Sequence, residues 1–152
     1  MRKVFIYRGP SGSGKSTHIR NNYPDYPVCS ADHLFEREGP DGEKLYEFDP
    51  SLLPIAHQQC FAAFISLVCI EQARRVIVDN TNMAQWEMFN YVHLAEAMGY
   101  EVEIIDFTPK TLEGLCEAAE RGKSADATWR QAQNWEEIPL DWDNVSQRTF
   151  GS

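Results

Sequence analysis

The stretch GPSGSGKST, at residues 9–17, constrains the fold of this 152-residue chain more than any other feature. Its Gly-x-x-x-x-Gly-Lys-Ser spacing matches a loop that binds phosphate between a strand and a helix. Glycines allow the tight turn in which consecutive N–H groups bind an anion, and the following helix dipole strengthens that attraction. The apolar segment KVFIYR, residues 3–8, directly precedes the loop and is typical of a buried strand. The stretch therefore predicts a nucleoside triphosphate site at the end of the first strand.

Each polar position of this loop has an expected contact. We expect Lys15 to reach the β- and γ-phosphates, Ser16 to bind Mg²⁺ and Thr17 to lie near the α-phosphate. The residues predicted to bind the nucleotide within the loop are Gly9, Ser11, Gly12, Ser13, Gly14, Lys15, Ser16 and Thr17. The chain lacks the N-K-x-D sequence by which GTPases recognise guanine, so ATP is the predicted nucleotide.

Apolar strands alternate with helical segments along the rest of the chain. Further strands are predicted at 28–32, 75–80 and 100–107, helices at 15–22, 32–37, 51–74, 84–98, 110–120 and 125–136, and a surface hairpin at 39–50. This alternation predicts one α/β domain over residues 1–152, folded as a P-loop kinase-type three-layer sandwich with a mostly parallel sheet of four to five strands. The tail, at about 137–152, shows no clear period.

Charge and composition limit the classes of partner. The chain has 14 lysines and arginines and 23 aspartates and glutamates, which gives a net charge of −9. This charge disfavours broad, sequence-independent binding of duplex DNA, but it does not exclude a local basic pocket. The four cysteines form no C-x-x-C pair, which favours a reducing, cytoplasmic setting. No uninterrupted apolar run approaches the roughly 18 to 20 residues of a membrane helix, so no membrane association is predicted.

Two aspartates follow apolar strands, where ligands of parallel sheets gather. Asp79, in VIVDNTN, is a candidate for the second protein contact to Mg²⁺, and the alternative is that it caps a helix or closes a turn. Asp32 is a candidate base for a hydroxyl acceptor, because phosphoryl transfer depends mainly on positioning and charge neutralisation. From spacing alone, Asp32 fits equally well a role in which its charge only stabilises a helix N-terminus.

The motifs GPSGSGKST, VCSADHLF, VIVDNTN and GYEVEIIDF occur in the order found in the polynucleotide 5′-kinase family, which the chain resembles over about residues 3–135. That family includes the kinase domains of bacteriophage end-healing enzymes. The resemblance implies ATP-dependent phosphorylation of the 5′-hydroxyl end of DNA or RNA. Asp32 then matches the general base, Lys15 and Ser16 the phosphate and metal contacts, and Asp79 the strand-end aspartate.

The family also closes a helical lid over the phosphates, with an arginine that reaches the γ-phosphate. The resemblance places this lid at about 117–135 and makes Arg121, in ERGKS, the nearest match. Arg130, on the next predicted helix, is a second candidate for contact with the nucleotide. The alternative for Arg121 is a solvated helix end.

The chain departs from the family pattern in two places. Relatives often carry an Arg-Asn pair where this chain has Ala118 and Ala119, and many have an arginine on the helix after the base, where Phe35 and Glu36 stand here. Both departures, like the net charge, favour the alternative of a kinase for a nucleoside, mononucleotide or other small hydroxylated molecule. A third hypothesis is an ATP-binding switch without an acceptor.

Aromatic and histidine side chains offer weaker signals. His57 is expected to pack, with orientation of Asp32 or contact with the acceptor as the alternative. The tryptophans are expected in the core rather than as stacking platforms, although one of them, or Phe35, could stack on a terminal base. They are Trp86, Trp129, Trp135 and Trp142.

Overall fold

A five-stranded parallel sheet forms the centre of the fold in the computed structural model, which describes residues 1–122 and 124–151. Within these residues the strands are β1 (Lys3–Arg8), β2 (Val28–Cys29), β3 (Glu36–Glu38), β4 (Lys44–Tyr46), β5 (Arg75–Asp79), β6 (Glu101–Asp106) and β7 (Val145–Thr149). The central sheet has the order β2-β5-β1-β6-β7, and β3 and β4 form a separate antiparallel hairpin. The predicted α/β sandwich with a parallel sheet is therefore confirmed. A hairpin is present as well, but it begins before the predicted range of 39–50.

Helices cover both faces of the sheet. They are α1 (Lys15–Asn22), α2 (Leu53–Ile65), α3 (Gln85–Ala97), α4 (Leu112–Arg121) and α5 (Ala125–Gln133), with short 3-10 turns at Ala31–Phe35 and Pro50–Leu52. On one face, α2 and α3 bury Phe64 and Met88 against the sheet, and on the other α1 buries Ile19. Both faces of β1 are covered, which explains why its sequence is a continuous apolar run instead of an alternating one.

The chain from Pro50 to Ile70 forms one long helical stretch, which ends in a π-helical turn. Its mean hydropathy of 1.6 and its length would suffice to cross a bilayer. Its inner side packs in the core through Cys60, Phe64 and Val68, as expected of a helix that covers a sheet. The predicted end at residue 74 is too late, because Gln72 adopts a left-handed backbone (φ 52°) that a helix cannot continue through.

One other sequence expectation is wrong, and one strand was not predicted. The predicted helix at 32–37 is a 3-10 turn, because the Ser30 hydroxyl accepts the Asp32 N–H at 3.2 Å and the backbone becomes extended at Glu36. The tail contains β7, which pairs with β6 at the edge of the sheet. Most of β7 is solvent-exposed, so it carries no apolar pattern, and an ion pair of 2.7 Å between Arg148 and Glu103 helps to hold it.

Candidate active site

The loop at residues 9–17 connects β1 to α1 and has the geometry of an anion cradle. Gly12 and Gly14 have φ values of 83° and 104°, which residues with a Cβ rarely adopt. The Ser13 N–H donates to Pro10 O at 3.2 Å and closes the first turn of the loop. Helix α1 begins directly at Lys15 with no acidic residue in its first turn, so its N-terminal N–H groups favour a bound anion.

Lys15 lies over this loop. Its Nζ donates a hydrogen bond to Gly9 O at 2.7 Å, so the ammonium group is held at the loop. Ser16 and Thr17 follow in the first turn of α1, both exposed. The predicted phosphate-binding residues are therefore contiguous in space as well as in sequence.

The two predicted metal contacts line one cavity. Ser16 and Asp79 both face a space of about 250 Å³ beside α1, which Arg20 also lines. Asp79 ends β5, which pairs with β1, so its position next to the loop follows from the parallel pairing. Magnesium prefers oxygen ligands and usually keeps several waters, with one or two protein oxygens and substrate phosphates. The hydroxyl and carboxylate of this pair are ligands of that kind, and the rest of the cavity lining, apart from Arg20, is apolar or aromatic.

Asp32 lies in the 3-10 turn that follows β2, and Tyr46 of the hairpin holds its carboxylate. Tyr46 Oη donates to Asp32 Oδ1 at 2.9 Å. Burial, and then this bond, raise the pKa of Tyr46 above its usual value, so the phenol remains a donor at neutral pH. Sequence reasoning missed Tyr46, because nothing in a three-residue strand shows which distant carboxylate its hydroxyl will meet.

The loop after β5 joins these parts. Asn80 Oδ1 accepts the Ala31 N–H at 2.9 Å, next to Asp32, and Thr81 O accepts the Gly9 N–H at 2.9 Å. The ends of β2, β5 and β1 are thus tied together at one edge of the sheet. The structure therefore places Asp32 and Asp79 on segments that flank the phosphate-binding loop.

Helices α4 and α5 lie directly on this loop. Arg121 Nε donates to Gly12 O at 3.0 Å, and Thr128 Oγ1 donates to Ser11 O at 3.0 Å. The Ser11 N–H donates to Gln131 Oε1 at 2.9 Å. The segment predicted as a lid therefore packs on the phosphate loop, except that Lys123 lies outside the described residues.

The alanines that depart from the family pattern have a structural role here. Ala118 and Ala119 are both buried in α4. A Cβ on Gly12 would lie 2.0 Å from Ala118 O, so the helix backbone approaches the glycine in direct contact. Small side chains on α4 make this approach possible.

The two candidate arginines differ in position. Arg121 contacts the loop, as described above, whereas the contact recorded for Arg130 is with Asp126 O of its own helix, at 3.3 Å. Arg130 is exposed. The structure thus brings Arg121 into contact with the phosphate loop, whereas a contact of Arg130 with the nucleotide stays a prediction.

Sequence reasoning also missed Arg8, which is fully buried immediately before the loop. It donates to Asn82 O at 3.0 Å, Met83 O at 2.6 Å and Glu136 O at 2.8 Å, and its guanidinium lies over the Trp135 ring. Burial lowers the pKa of Arg8, and the nearby Asp106 carboxylate opposes that change. A basic residue at the end of an otherwise apolar strand was the available signal. Arg8 fixes the loop after β5 beneath the site.

Comparison with known proteins identifies a family that matches this sequence. A family model described as an AAA domain, AAA_33, matches residues 4–138. Human NEDD4-binding protein 2 is 34% identical over 109 residues, which are 65% of this chain and only 5% of that protein's length.

Solved structures share the fold. A putative kinase from Chloroflexus aurantiacus superposes with a TM-score of 0.62 at 13% identity, over 99% of this chain and 89% of that one. The Pnkp1/Rnl/Hen1 RNA repair complex contains a chain that is similar at a TM-score of 0.56 and 22% identity, over 93% of this chain and 41% of that one. With the family model spanning most of the sequence, the chain belongs to the AAA domain family AAA_33, a family of P-loop kinases.

Proposed function

We propose that the chain transfers the γ-phosphate of ATP to the 5′-hydroxyl of a nucleic acid, with Mg²⁺. The observation that carries the proposal is the placement of the Asp32 carboxylate, held by Tyr46, on a segment tied to the loop that holds Lys15. A phosphate cradle alone would serve many functions. A fixed carboxylate beside it is what a hydroxyl acceptor requires.

The proposed reaction needs little covalent chemistry from the protein. The acceptor oxygen forms a bond to the γ-phosphorus, the bond from that phosphorus to the bridging oxygen of ADP breaks, and the hydroxyl proton moves to Asp32. Lys15 and Arg121 would neutralise phosphate charge, and Ser16 and Asp79 would hold the metal ion. When bound, Mg²⁺ would stabilise the negative charge on the β- and γ-phosphate oxygens.

Two observations support a nucleic acid as the acceptor. The order of motifs resembles that of polynucleotide 5′-kinases, and a chain of an RNA repair complex shares the fold. The hairpin that holds Asp32 adds no positive charge to this support, because its two exposed cations, Arg37 and Lys44, are outnumbered by Glu36, Glu38, Asp41 and Glu43.

A kinase for a small hydroxylated molecule, such as a nucleoside or mononucleotide, is the second candidate. The observation that favours it is the position of Phe35, which is buried next to Ala31 and Ala56 where many polynucleotide kinases carry an arginine. A buried phenylalanine cannot bind a phosphate. The two candidates therefore differ in the acceptor and share the donor chemistry.

The test is a comparison of acceptors with γ-labelled ATP. A 5′-hydroxyl oligonucleotide, a nucleoside and a 3′-nucleotide are supplied separately, and transfer of label is measured for each. The proposal predicts the highest kcat/KM for the oligonucleotide, with label at its 5′ end. Preference for either small acceptor would establish the second candidate, and ATP hydrolysis without a phosphorylated product would contradict both.

A further inference from the structure

A groove of about 390 Å³ lies between α2 and α3, on the face of the sheet opposite α1. Its floor is the loop after β5, at Asn80–Asn82, and its walls include side-chain amides and aromatic rings. The residues that matter for its chemistry are Gln58, Phe61, Asn80, Trp86, Glu87 and Asn90. Nothing in the donor chemistry uses this groove.

The floor of the groove is in contact with both reacting segments. Asn80 accepts the Ala31 N–H, one residue before Asp32, and Thr81 O accepts the Gly9 N–H of the phosphate loop. A ligand bound in the groove would therefore contact a loop that is hydrogen-bonded both to the segment of the proposed base and to the phosphate loop. This connection makes the groove a candidate for the acceptor.

The charge of the groove indicates what class of ligand it can take. Among the described residues, no lysine or arginine lines it, its one acidic residue is Glu87, and its one basic side chain is His57, which was expected to pack but is exposed. The Glu87 carboxylate accepts the Met83 N–H at 2.7 Å, at the start of α3. Such a lining does not suit a phosphate group, which would need cationic partners. It suits an uncharged ring that carries hydrogen-bonding edges.

Trp86 is the unusual residue of the groove. It was expected in the core, but 76% of its surface is exposed in the first turn of α3. An exposed indole next to amide side chains is a combination that stacks on nucleobases and leaves their edges to the amides.

We propose that this groove binds the terminal nucleobase of the hydroxyl-ended acceptor, stacked on Trp86, with Gln58 and Asn90 at its polar edge. The inference rests on the proposed function and specifies the substrate at that site: the acceptor enters as an uncharged nucleoside end. Its phosphates then lie outside the groove.

Binding without ATP tests this directly. The probes are a 3′-labelled 5′-hydroxyl hexanucleotide and the same strand with an abasic first position, measured by fluorescence anisotropy. We expect the wild type to bind the intact strand about tenfold more tightly, within the range known for base stacking on aromatic rings. Trp86→Ala should abolish this preference, and Trp86→Phe should retain most of it because a ring is kept.

Phe89→Ala is the matched control, since Phe89 is an exposed ring (52%) of the same helix that does not line the groove. It should leave the preference unchanged. Equal binding of both strands by the wild type, or an unchanged preference in Trp86→Ala, would overturn the inference. Phosphate transfer measured in the same preparations separates the two proposals. Transfer without a binding preference for the intact strand would support the kinase function and contradict the base-binding groove. A binding preference without transfer would support the groove and contradict the kinase function.

Discussion

The two halves of the candidate site are built in different ways. The donor side, which comprises the loop at 9–17 with α4 and α5, is held by main-chain groups: Gly12 O accepts Arg121, and Ser11 O accepts Thr128. The acceptor side comprises the turn at 31–35, the hairpin β3–β4 and the groove between α2 and α3. Side-chain contacts, such as Tyr46 on Asp32, position its functional groups, and its hairpin is held by main-chain pairing and is largely exposed.

This difference explains where specificity can reside. A loop whose backbone N–H and C=O groups form the binding site requires glycines at fixed positions. Few sequences can therefore form such a loop, and each of them binds the same phosphate groups. Contacts between exposed side chains can change without disturbing the sheet beneath them. The donor side therefore has a recognisable motif, whereas the acceptor side must be understood residue by residue.

Removal of Lys15 should have the largest effect. Lys15→Ala deletes the ammonium group that lies over the loop, and we expect weaker ATP binding and a fall in kcat of at least about 100-fold. Lys44→Ala, which removes an equal charge from the acceptor side, should leave the Kd for ATP unchanged. Steady-state kinetics and ATP titration measure both, and equal loss of ATP binding in the two variants would contradict the division into halves.

The contact between Gly12 and α4 comes next in size. Gly12→Ala would place a Cβ 2.0 Å from Ala118 O, so the lid must move, and we expect ATP to bind about tenfold more weakly. Gly99→Ala is the control, because Gly99 has a similar φ of 81° but nothing within 4 Å of its Cβ position. Both variants lose stability through backbone strain, and only Gly12→Ala should lose nucleotide affinity. ATP titration of the folded proteins decides this. A normal Kd for Gly12→Ala would show that the packing of α4 on the loop does not contribute to ATP binding.

Tyr46→Phe should have the smallest effect and should appear only on the acceptor side. It deletes one hydrogen bond to a carboxylate in a partly exposed place, so we expect kcat to fall about threefold to tenfold with the KM for ATP unchanged. Tyr100→Phe, which also deletes one hydrogen bond, to Ala73 O next to the start of β6, should leave kcat unchanged. An altered KM for ATP in Tyr46→Phe, with kcat preserved, would show that this hydroxyl does not act through Asp32.

The fold could be predicted where local patterns reflect burial. The positions Met88, Tyr91, Val92 and Ala95 have helical spacing and are all buried in α3. Trp86 lies off this face. The spacing therefore already indicated that Trp86 is not in the core, contrary to our expectation of a core tryptophan. Strand β7 could not be predicted, because an exposed edge strand needs no apolar alternation and its pairing with β6 is set by the rest of the sheet.

The site was predictable only in part, for a related reason. Lys15, Asp32 and Asp79 follow strands, and the carboxyl ends of parallel strands converge at one edge. Tyr46 and Arg8 were missed because their contacts join residues far apart in sequence: Arg8 binds carbonyls more than seventy positions away. Such contacts are settled by packing and leave no local pattern.

The central claim is that the donor cradle and the carboxylate at Asp32 act separately. The most direct measurement takes one preparation of Asp32→Asn and determines both the Kd for ATP and the single-turnover rate of phosphate transfer to a 5′-hydroxyl oligonucleotide. The account predicts a Kd equal to that of the wild type and a transfer rate lower by about 10² to 10⁴-fold, the usual contribution of a general base. Transfer at the wild-type rate by Asp32→Asn would contradict it.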